Sequence, residues 1–334
     1  MKTLRDTFQN NYRLTHLLSR FLSYAPGAIT SDMMKNMTSD RLSSEESYAY
    51  LLSALFGMDM DQAAERKFFR EYLAPSIRRL NPDDYRSDPY FARVGLEART
   101  VGRWELKWLT YPAYRGFTCG DPILFENGRE IQQIGYFDQP FSFPAVLENG
   151  NEWMTLTPVD METVQNDIRM ATGNCITFGL GLGYYAFSLC RKPQVSSVTV
   201  VERSDQVIRL FREELLQKFD HAEKLHIIQA DAFEYAENEM PKENFDHAFV
   251  DTWRDAGDGL EHYLKMKPLA RLSPHTTFSY WIEKTILSRM RAFVWEQNRD
   301  GWEQKGYDAA TALINLQDEA LAALAAQGSF QPLL

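Results

Sequence analysis

Cysteine is scarce in this chain: Cys119, Cys175 and Cys190 are the three among 334 residues. Their spacing matches no zinc or dithiol motif, and three thiols cannot pair evenly as a secreted disulfide framework would, so a reducing, cytoplasmic location is expected. Long apolar runs are also missing. No stretch approaches the length of a membrane span. Residues 1–21 mix Arg5, Asp6, Asn10, Arg13 and Arg20 among their apolar positions, unlike the continuous apolar segment of a signal peptide. Positive charge is in deficit, with 36 Lys and Arg against 46 Asp and Glu and a formal net charge of −10. Such a surface repels phosphate backbones and anionic lipid, which disfavours nucleic acid or membrane as the main partner. Six histidines occur, including His221, His226, His247, His262 and His275. They fall at no metal-ligand spacing, so no metal is expected and each is read as a satisfied core or surface residue. Internal repeats and low-complexity tracts are absent as well.

What remains is an ordinary globular composition, 44% apolar and 25% charged, in a chain long enough for two domains. Residues 1–98 read as helical. Tyr12, Leu14, Leu17, Leu18, Phe21 and Leu22 fall largely on one helical face. A second helix is signalled by Ser43 and Ser44 ahead of Glu45 and Glu46, and a third runs over 61–73 to Pro75. Residues 81–89 look like a connecting loop. The amino-terminal helices are open to three uses: a lid, a homodimer face or a partner-binding module.

The period changes over 99–158. Residues 104–109, 131–137 and 153–157 alternate as strands do, separated by turn-rich Cys119-Gly120-Asp121-Pro122 and Glu126-Asn127-Gly128, which suggests a small antiparallel sheet. From 159 to 334 strands alternate with helices, the signature of a doubly wound, mainly parallel α/β sheet of Rossmann type. Its strands are expected at 175–178, 198–201, 225–228, 247–250 and 276–281, with closing helices at 284–295 and 309–326.

The chemistry is carried by the ends of those strands. In Ile176-Thr177-Phe178-Gly179-Leu180-Gly181-Leu182-Gly183 a buried strand runs into a glycine turn and then a helix, so backbone can approach a ligand without side-chain clash. The glycines stand at Gly179, Gly181 and Gly183, whereas the dinucleotide fingerprint wants its third where Tyr184 stands, which argues against nicotinamide or flavin. Val198-Thr199-Val200-Val201 ends in Glu202, about twenty residues after the first glycine, where doubly wound folds place an acid for a ribose. Asp231 stands at the tip of the third strand, able to accept from an adenine amino group, to cap the helix that starts at Ala232, or both. Asp251 ends the fourth buried strand and would face the reaction site as an orienting group or general base. Trp104, Trp108, Trp153 and Tyr114 form either an aromatic wall over a pocket or, preferably, the core of the small sheet. Cys175 and Cys190 read as small buried hydrophobes.

Taken together, Phe178-Gly179-Leu180-Gly181-Leu182-Gly183-Tyr184-Tyr185, Val200-Val201-Glu202-Arg203, Gln229-Ala230-Asp231-Ala232 and Phe249-Val250-Asp251 resemble the class I S-adenosylmethionine-dependent methyltransferases, and within them the spermidine synthase-like branch. The resemblance covers about residues 153–281. It implies that the glycine turn holds the methionine end of S-adenosylmethionine, Glu202 the ribose, and Asp231 with Ala232 the adenine. Asp251 matches the branch's catalytic aspartate, and the preceding small sheet looks like the amino-terminal β region of spermidine synthases. Two positions depart from that pattern: Leu182 stands where those enzymes carry an aspartate, and Thr252-Trp253-Arg254 intervene before the next acid, Asp255. The Asn/Asp-Pro-Pro-aromatic signature of DNA amino-methyltransferases is absent at Asp251-Thr252-Trp253. Asp88-Pro89-Tyr90-Phe91 has a superficial likeness to it but reads as a turn.

The expected function is methyl transfer from S-adenosylmethionine to a small-molecule acceptor, with Asp251 positioning or deprotonating that acceptor. The alternatives are aminopropyl transfer to a polyamine, which Leu182 disfavours, and a non-catalytic cofactor-binding interaction module.

Overall fold

The computed structural model describes residues 2–95 and 98–298. The expected helix over 309–326 lies outside the described residues. Two compact units form, and neither is continuous in sequence. Among the described residues one comprises 2–82, 110–141 and 284–298, and the other 83–109 and 142–283. These units do not follow the linear division at residues 98 and 158, because strands and helices far apart in the chain share a core.

The first unit packs helices against a three-stranded sheet. Helix Lys2–Tyr24 buries Leu14, Leu18 and Phe21 at the three- and four-residue spacing that its sequence announces, and Phe8 separately against Trp295. Helix Ser44–Leu55 starts with a reciprocal cap: Ser43 Oγ accepts from the Glu46 amide at 3.1 Å while Glu46 Oε2 accepts from the Ser43 amide at 2.9 Å. Ser43→Ala should therefore lower the stability of this unit by about 1 kcal/mol, read by urea denaturation. Helix Ala63–Phe68 passes into a π-helical turn, Phe69–Leu73, which puts Phe69, Tyr72 and Leu73 into the core.

Strand Ile77–Arg79 pairs in parallel with Glu130–Tyr136, which pairs antiparallel with Phe117–Leu124. The amino-terminal region is thus not purely helical, and Cys119-Gly120-Asp121-Pro122 belongs to a strand instead of a turn. Register shifts between Thr118 and Gly120 and between Gly120 and Ile123 take up the glycine and proline, as bulges do. Inside this unit Arg291 Nε donates to Glu130 Oε1 at 2.6 Å, both side chains being buried.

The second unit carries the doubly wound domain. Its five strands, Gly173–Phe178, Val195–Glu202, Leu225–Gln229, His247–Val250 and Thr277–Tyr280, are all parallel. They lie in the spatial order third, second, first, fourth, fifth, which is the doubly wound Rossmann-like order without its sixth strand. The two central strands are apolar runs because helices cover both faces: Cys175, Ile176, Phe178, Ala248 and Val250 are fully buried. The winding direction reverses between the first and fourth strands, and a crevice opens there at the carboxyl ends.

A four-stranded sheet precedes it in the order Arg99–Val101, Trp104–Tyr111, Phe141–Glu148, Asn151–Thr155. Strand Phe141–Glu148 is not legible from its sequence, since its mostly buried residues lack alternation and Pro144 interrupts the pattern. Residues 81–89 are likewise no simple loop. Pro82–Arg86 is a short helix, and Asp88 caps a second one, Pro89–Val94, by accepting from the Tyr90 amide at 2.8 Å. Asp88-Pro89 is thus a helix start with proline in the first turn and not a free turn. Among the described residues no helix is long and apolar enough to cross a membrane.

Candidate active site

All seven residues singled out in the sequence, Gly179, Gly181, Gly183, Glu202, Asp231, Ala232 and Asp251, line one cavity of about 310 Å³ in the second unit. Each parallel strand delivers at least one residue to it from its carboxyl end: Gly179, Glu202, Asp231, Asp251 and Trp281 follow or finish the five strands in turn.

The glycine turn is built by contact as well as by conformation. Gly179 has φ +101°, and a Cβ there would lie 1.9 Å from the main-chain oxygen of Asp251. The first and fourth strands come that close because the Asp251 amide donates to Phe178 O at 2.8 Å. At Gly183 a Cβ would meet Phe211 Cε2 at 2.5 Å. Gly181 differs, since a Cβ there would meet nothing nearer than Met154 Sδ at 3.8 Å, and that side is open. Gly179 N donates to Val201 O, Leu180 N to Glu202 Oε2 and Gly183 N to Leu180 O. The amides of Gly181 and Leu182 make no hydrogen bond among the described residues.

The acids are placed by the same turns. Glu202 accepts from Leu180 N at 3.2 Å through Oε2 and from Ser204 N at 2.8 Å through Oε1, so it ties the second strand to the glycine turn. Hydrogen bonds to a charged acceptor contribute about 1.5–3 kcal/mol each. Glu202→Ala removes both bonds and should destabilise the unit by about 3 kcal/mol or more and weaken ligand binding, which denaturation and calorimetry measure separately. Asp231 does cap the helix Ala232–Asn238: Oδ1 takes the amides of Phe233 at 2.9 Å and Glu234 at 3.1 Å. Both bonds go to one oxygen, and Oδ2 is left to accept from elsewhere.

Asp251 is largely desolvated, and its carboxyl is pushed up to about 8, first by burial and then by the negative charges of Asp160 and Glu202. Nothing in the sequence pattern marks Asp160 as a site residue. It starts the helix Pro158–Met170, accepts from Thr157 N at 2.7 Å and Thr157 Oγ1 at 2.8 Å, and is raised to about 6 by burial despite those bonds. Its threonine-proline-x-aspartate spacing is a helix-start signal, which is why it reads as a cap and not as a pocket acid.

No protein-family model matches the chain, and no curated protein matches it. Among solved structures it is similar to a spermidine synthase in complex with the transition state analogue AdoDATO, at 17% identity over 41% of this chain and 48% of that one, with a TM-score of 0.29. It is similar to the spermidine synthase from Thermotoga maritima, at 18% identity over 45% and 56% of the two chains, TM-score 0.31. A dimethyladenosine transferase from Plasmodium falciparum follows at 14% identity, 34% and 38% coverage and a TM-score of 0.24. The chain spans about half the length of the spermidine synthase structures it matches. Functional assignment therefore rests on the site itself.

Further residues enter the site that sequence reasoning missed or set aside. Trp153, expected in a sheet core, lines the cavity and remains 38% exposed, its ring edge-on to buried Trp104 at 5.7 Å. His262 lines it as well. The segment after Asp88 supports the turn from beneath: Tyr90 donates to Leu182 O at 2.5 Å, and Tyr184 donates to Asp88 Oδ2 at 3.0 Å while accepting from Gln165 Nε2 at 2.9 Å. Nothing in spacing or periodicity marks that link. Trp108, also expected in the core of the small sheet, is instead 39% exposed, and Tyr114 packs against the core of the first unit, whereas Cys175, Cys190 and His247 are core residues. Cys175 and Cys190 are buried, their thiols raised to about 12 and about 11 by desolvation, and His247 is buried and lowered to about 4 by desolvation. Among the described residues no group of three or more His, Cys, Asp or Glu is placed to hold a metal ion.

Proposed function

We propose that the cavity binds S-adenosylmethionine and that the chain transfers its methyl group to a small-molecule acceptor. The observation that carries this reading is the convergence, in one cavity, of an open-sided glycine turn with three acids at the ends of the second, third and fourth strands. The residues fit such a ligand. Unpaired amides of Gly181 and Leu182 face a need for anion acceptors, which a methionine carboxylate meets. Glu202 is placed for ribose hydroxyls, and Asp231 Oδ2 with the Ala232 main chain for adenine.

When bound, S-adenosylmethionine supplies an electrophilic methyl on a cationic sulfur. The protein's part is to align and to desolvate, the two effects that lower a displacement barrier most directly when no covalent step on the enzyme is needed. Asp251, at the reversal point of the sheet, accepts the acceptor's hydrogen bond and takes its proton. In the ligand-free cavity its raised pKa keeps it largely protonated at neutral pH. A cation placed beside it favours the ionised form, so the base is generated where it is used.

Leu182 presents an apolar side chain where an aminopropyl donor's ammonium would want a carboxylate, which favours methyl over aminopropyl transfer. The test is to incubate the protein with methyl-labelled S-adenosylmethionine and a panel of small amines, alcohols and acids, and to follow label in acceptor fractions. Transfer to one acceptor class supports the reading. Spermidine formed from decarboxylated cofactor and putrescine would replace it with aminopropyl transfer, and cofactor affinity with no turnover on any acceptor would replace it with an interaction module.

A further inference from the structure

His262, on the helix Ala256–Met266, is held in one orientation at the cavity wall. Its Nδ1 lies 3.2 Å from the main-chain oxygen of Thr252 and 3.3 Å from Thr252 Oγ1. A carbonyl oxygen can only accept, so in the neutral ring Nδ1 carries the proton and Nε2 is left as an acceptor. Among the described residues Nε2 bonds to no protein group, and it is not among the buried polar atoms that lack a partner, so it is open to the cavity or its mouth. The imidazole stands edge-on to Phe233, with centroids 5.5 Å apart at 87°. Lys265, three residues along the same helix face, places its ammonium 3.9 Å from the centre of the Phe233 ring. Phe233 is in turn tied to Asp231, whose Oδ1 takes its amide at 2.9 Å. Asp231, Phe233 and His262 are thus linked by contact and all line the cavity, where Asp231 Oδ2 and His262 Nε2 are two acceptors without a protein donor among the described residues.

We propose that His262 is a specificity-determining residue for the base of the bound nucleoside: with Asp231 it accepts from an exocyclic amino group and so selects adenine over its 6-oxo counterpart. This rests on the adenosyl reading of the cavity. An amino group offers two hydrogens, one for each acceptor. An oxygen in that place sets an acceptor against two acceptors and leaves desolvated groups unpaired, which is the condition under which polar sites discriminate strongly.

The test compares S-adenosylhomocysteine with S-inosylhomocysteine by calorimetry on the wild-type protein and on His262→Phe, with thermal denaturation to show that the variant is folded. The wild type should prefer the adenosyl ligand by roughly a hundredfold. In the variant that preference should fall about tenfold, through the lost hydrogen bond to the adenosyl ligand together with removal of an acceptor that the inosyl ligand leaves unpaired. A folded variant that keeps the wild-type ratio would overturn the assignment while leaving the adenosyl reading intact. Wild-type protein that binds neither ligand would remove both. The nitrogen resonance of His262 Nε2 decides the matter without a substitution: it should shift on adding the adenosyl ligand and not the inosyl one, and an unmoved resonance in the adenosyl complex would equally overturn the proposal.

Discussion

Asp251→Asn is expected to reduce methyl transfer by about a hundred- to ten-thousand-fold while cofactor affinity stays close to that of the wild type. The substitution keeps the shape of the side chain and removes its capacity to take a proton. Single-turnover rates on saturated enzyme measure this directly, and in the wild type the rate with free enzyme should rise with pH through about 8, the value to which burial and the charges of Asp160 and Glu202 push the group. The same substitution should make the protein more stable in alkali. The carboxyl's ordinary value is 3.8, so between that value and about 8 the folded protein holds a proton that the unfolded chain has released, and wild-type stability falls as pH rises across the window. Asn carries no such penalty. Above pH 8 its advantage should be a few kcal/mol, since each pH unit corresponds to about 1.4 kcal/mol and water in the open cavity screens part of it. Below pH 4 the advantage should vanish. A variant that was less stable at pH 9 and fully active would mean that Asp251 is a structural residue.

Gly179→Ala should have the largest effect on the fold. Its methyl would lie 1.9 Å from Asp251 O and 3.0 Å from the carbon of that carbonyl, at φ +101°. Backbone cannot rotate out of the way as a side chain can, so the first and fourth strands must separate at the reversal point. A loss of about 4 kcal/mol or more is expected, the range reserved for such clashes, together with loss of ligand binding. Gly181→Ala is the informative contrast. Its nearest neighbour would be Met154 Sδ at 3.8 Å and its φ is +53°, so the fold should lose only about 1–2 kcal/mol while ligand affinity falls because the methyl occupies ligand space. Parallel denaturation and calorimetry on the two variants separate the roles.

The sites that the sequence makes legible share one physical cause. Strands buried on both faces read as apolar runs, and the first acid after each run stands out, which is how Glu202 and Asp251 are found; Asp231 follows a half-exposed strand and is found from its place ahead of a helix start. The glycine turn is legible because strand, turn and helix follow one another without a gap. Asp160 escapes for the opposite reason: it belongs to a helix start, where acids are common for local reasons. His262 is one exposed-looking helical polar residue among several, and only the approach of its helix to Thr252 and Phe233 brings it into the cavity. Tyr90 is hidden by proline next to it, which suggests a turn where the chain begins a helix. The strands Phe117–Leu124 and Phe141–Glu148 are obscured by glycine and proline that bulges and burial accommodate. Local signals reveal what a strand end does for itself and miss what a distant element lends to it.

The proposed function requires that the cavity of the second unit bind an adenosyl ligand, its carboxylate on main-chain amides of the glycine turn and its nucleoside on Glu202 and Asp231. Isothermal calorimetry at high protein concentration with S-adenosylmethionine, S-adenosylhomocysteine and decarboxylated S-adenosylmethionine tests this most directly. Saturable one-to-one binding of the adenosyl ligands, with the methionine carboxylate contributing affinity and Gly181→Ala weakening it, is the predicted result. No heat with any of the three ligands, from protein shown to be folded, would contradict it.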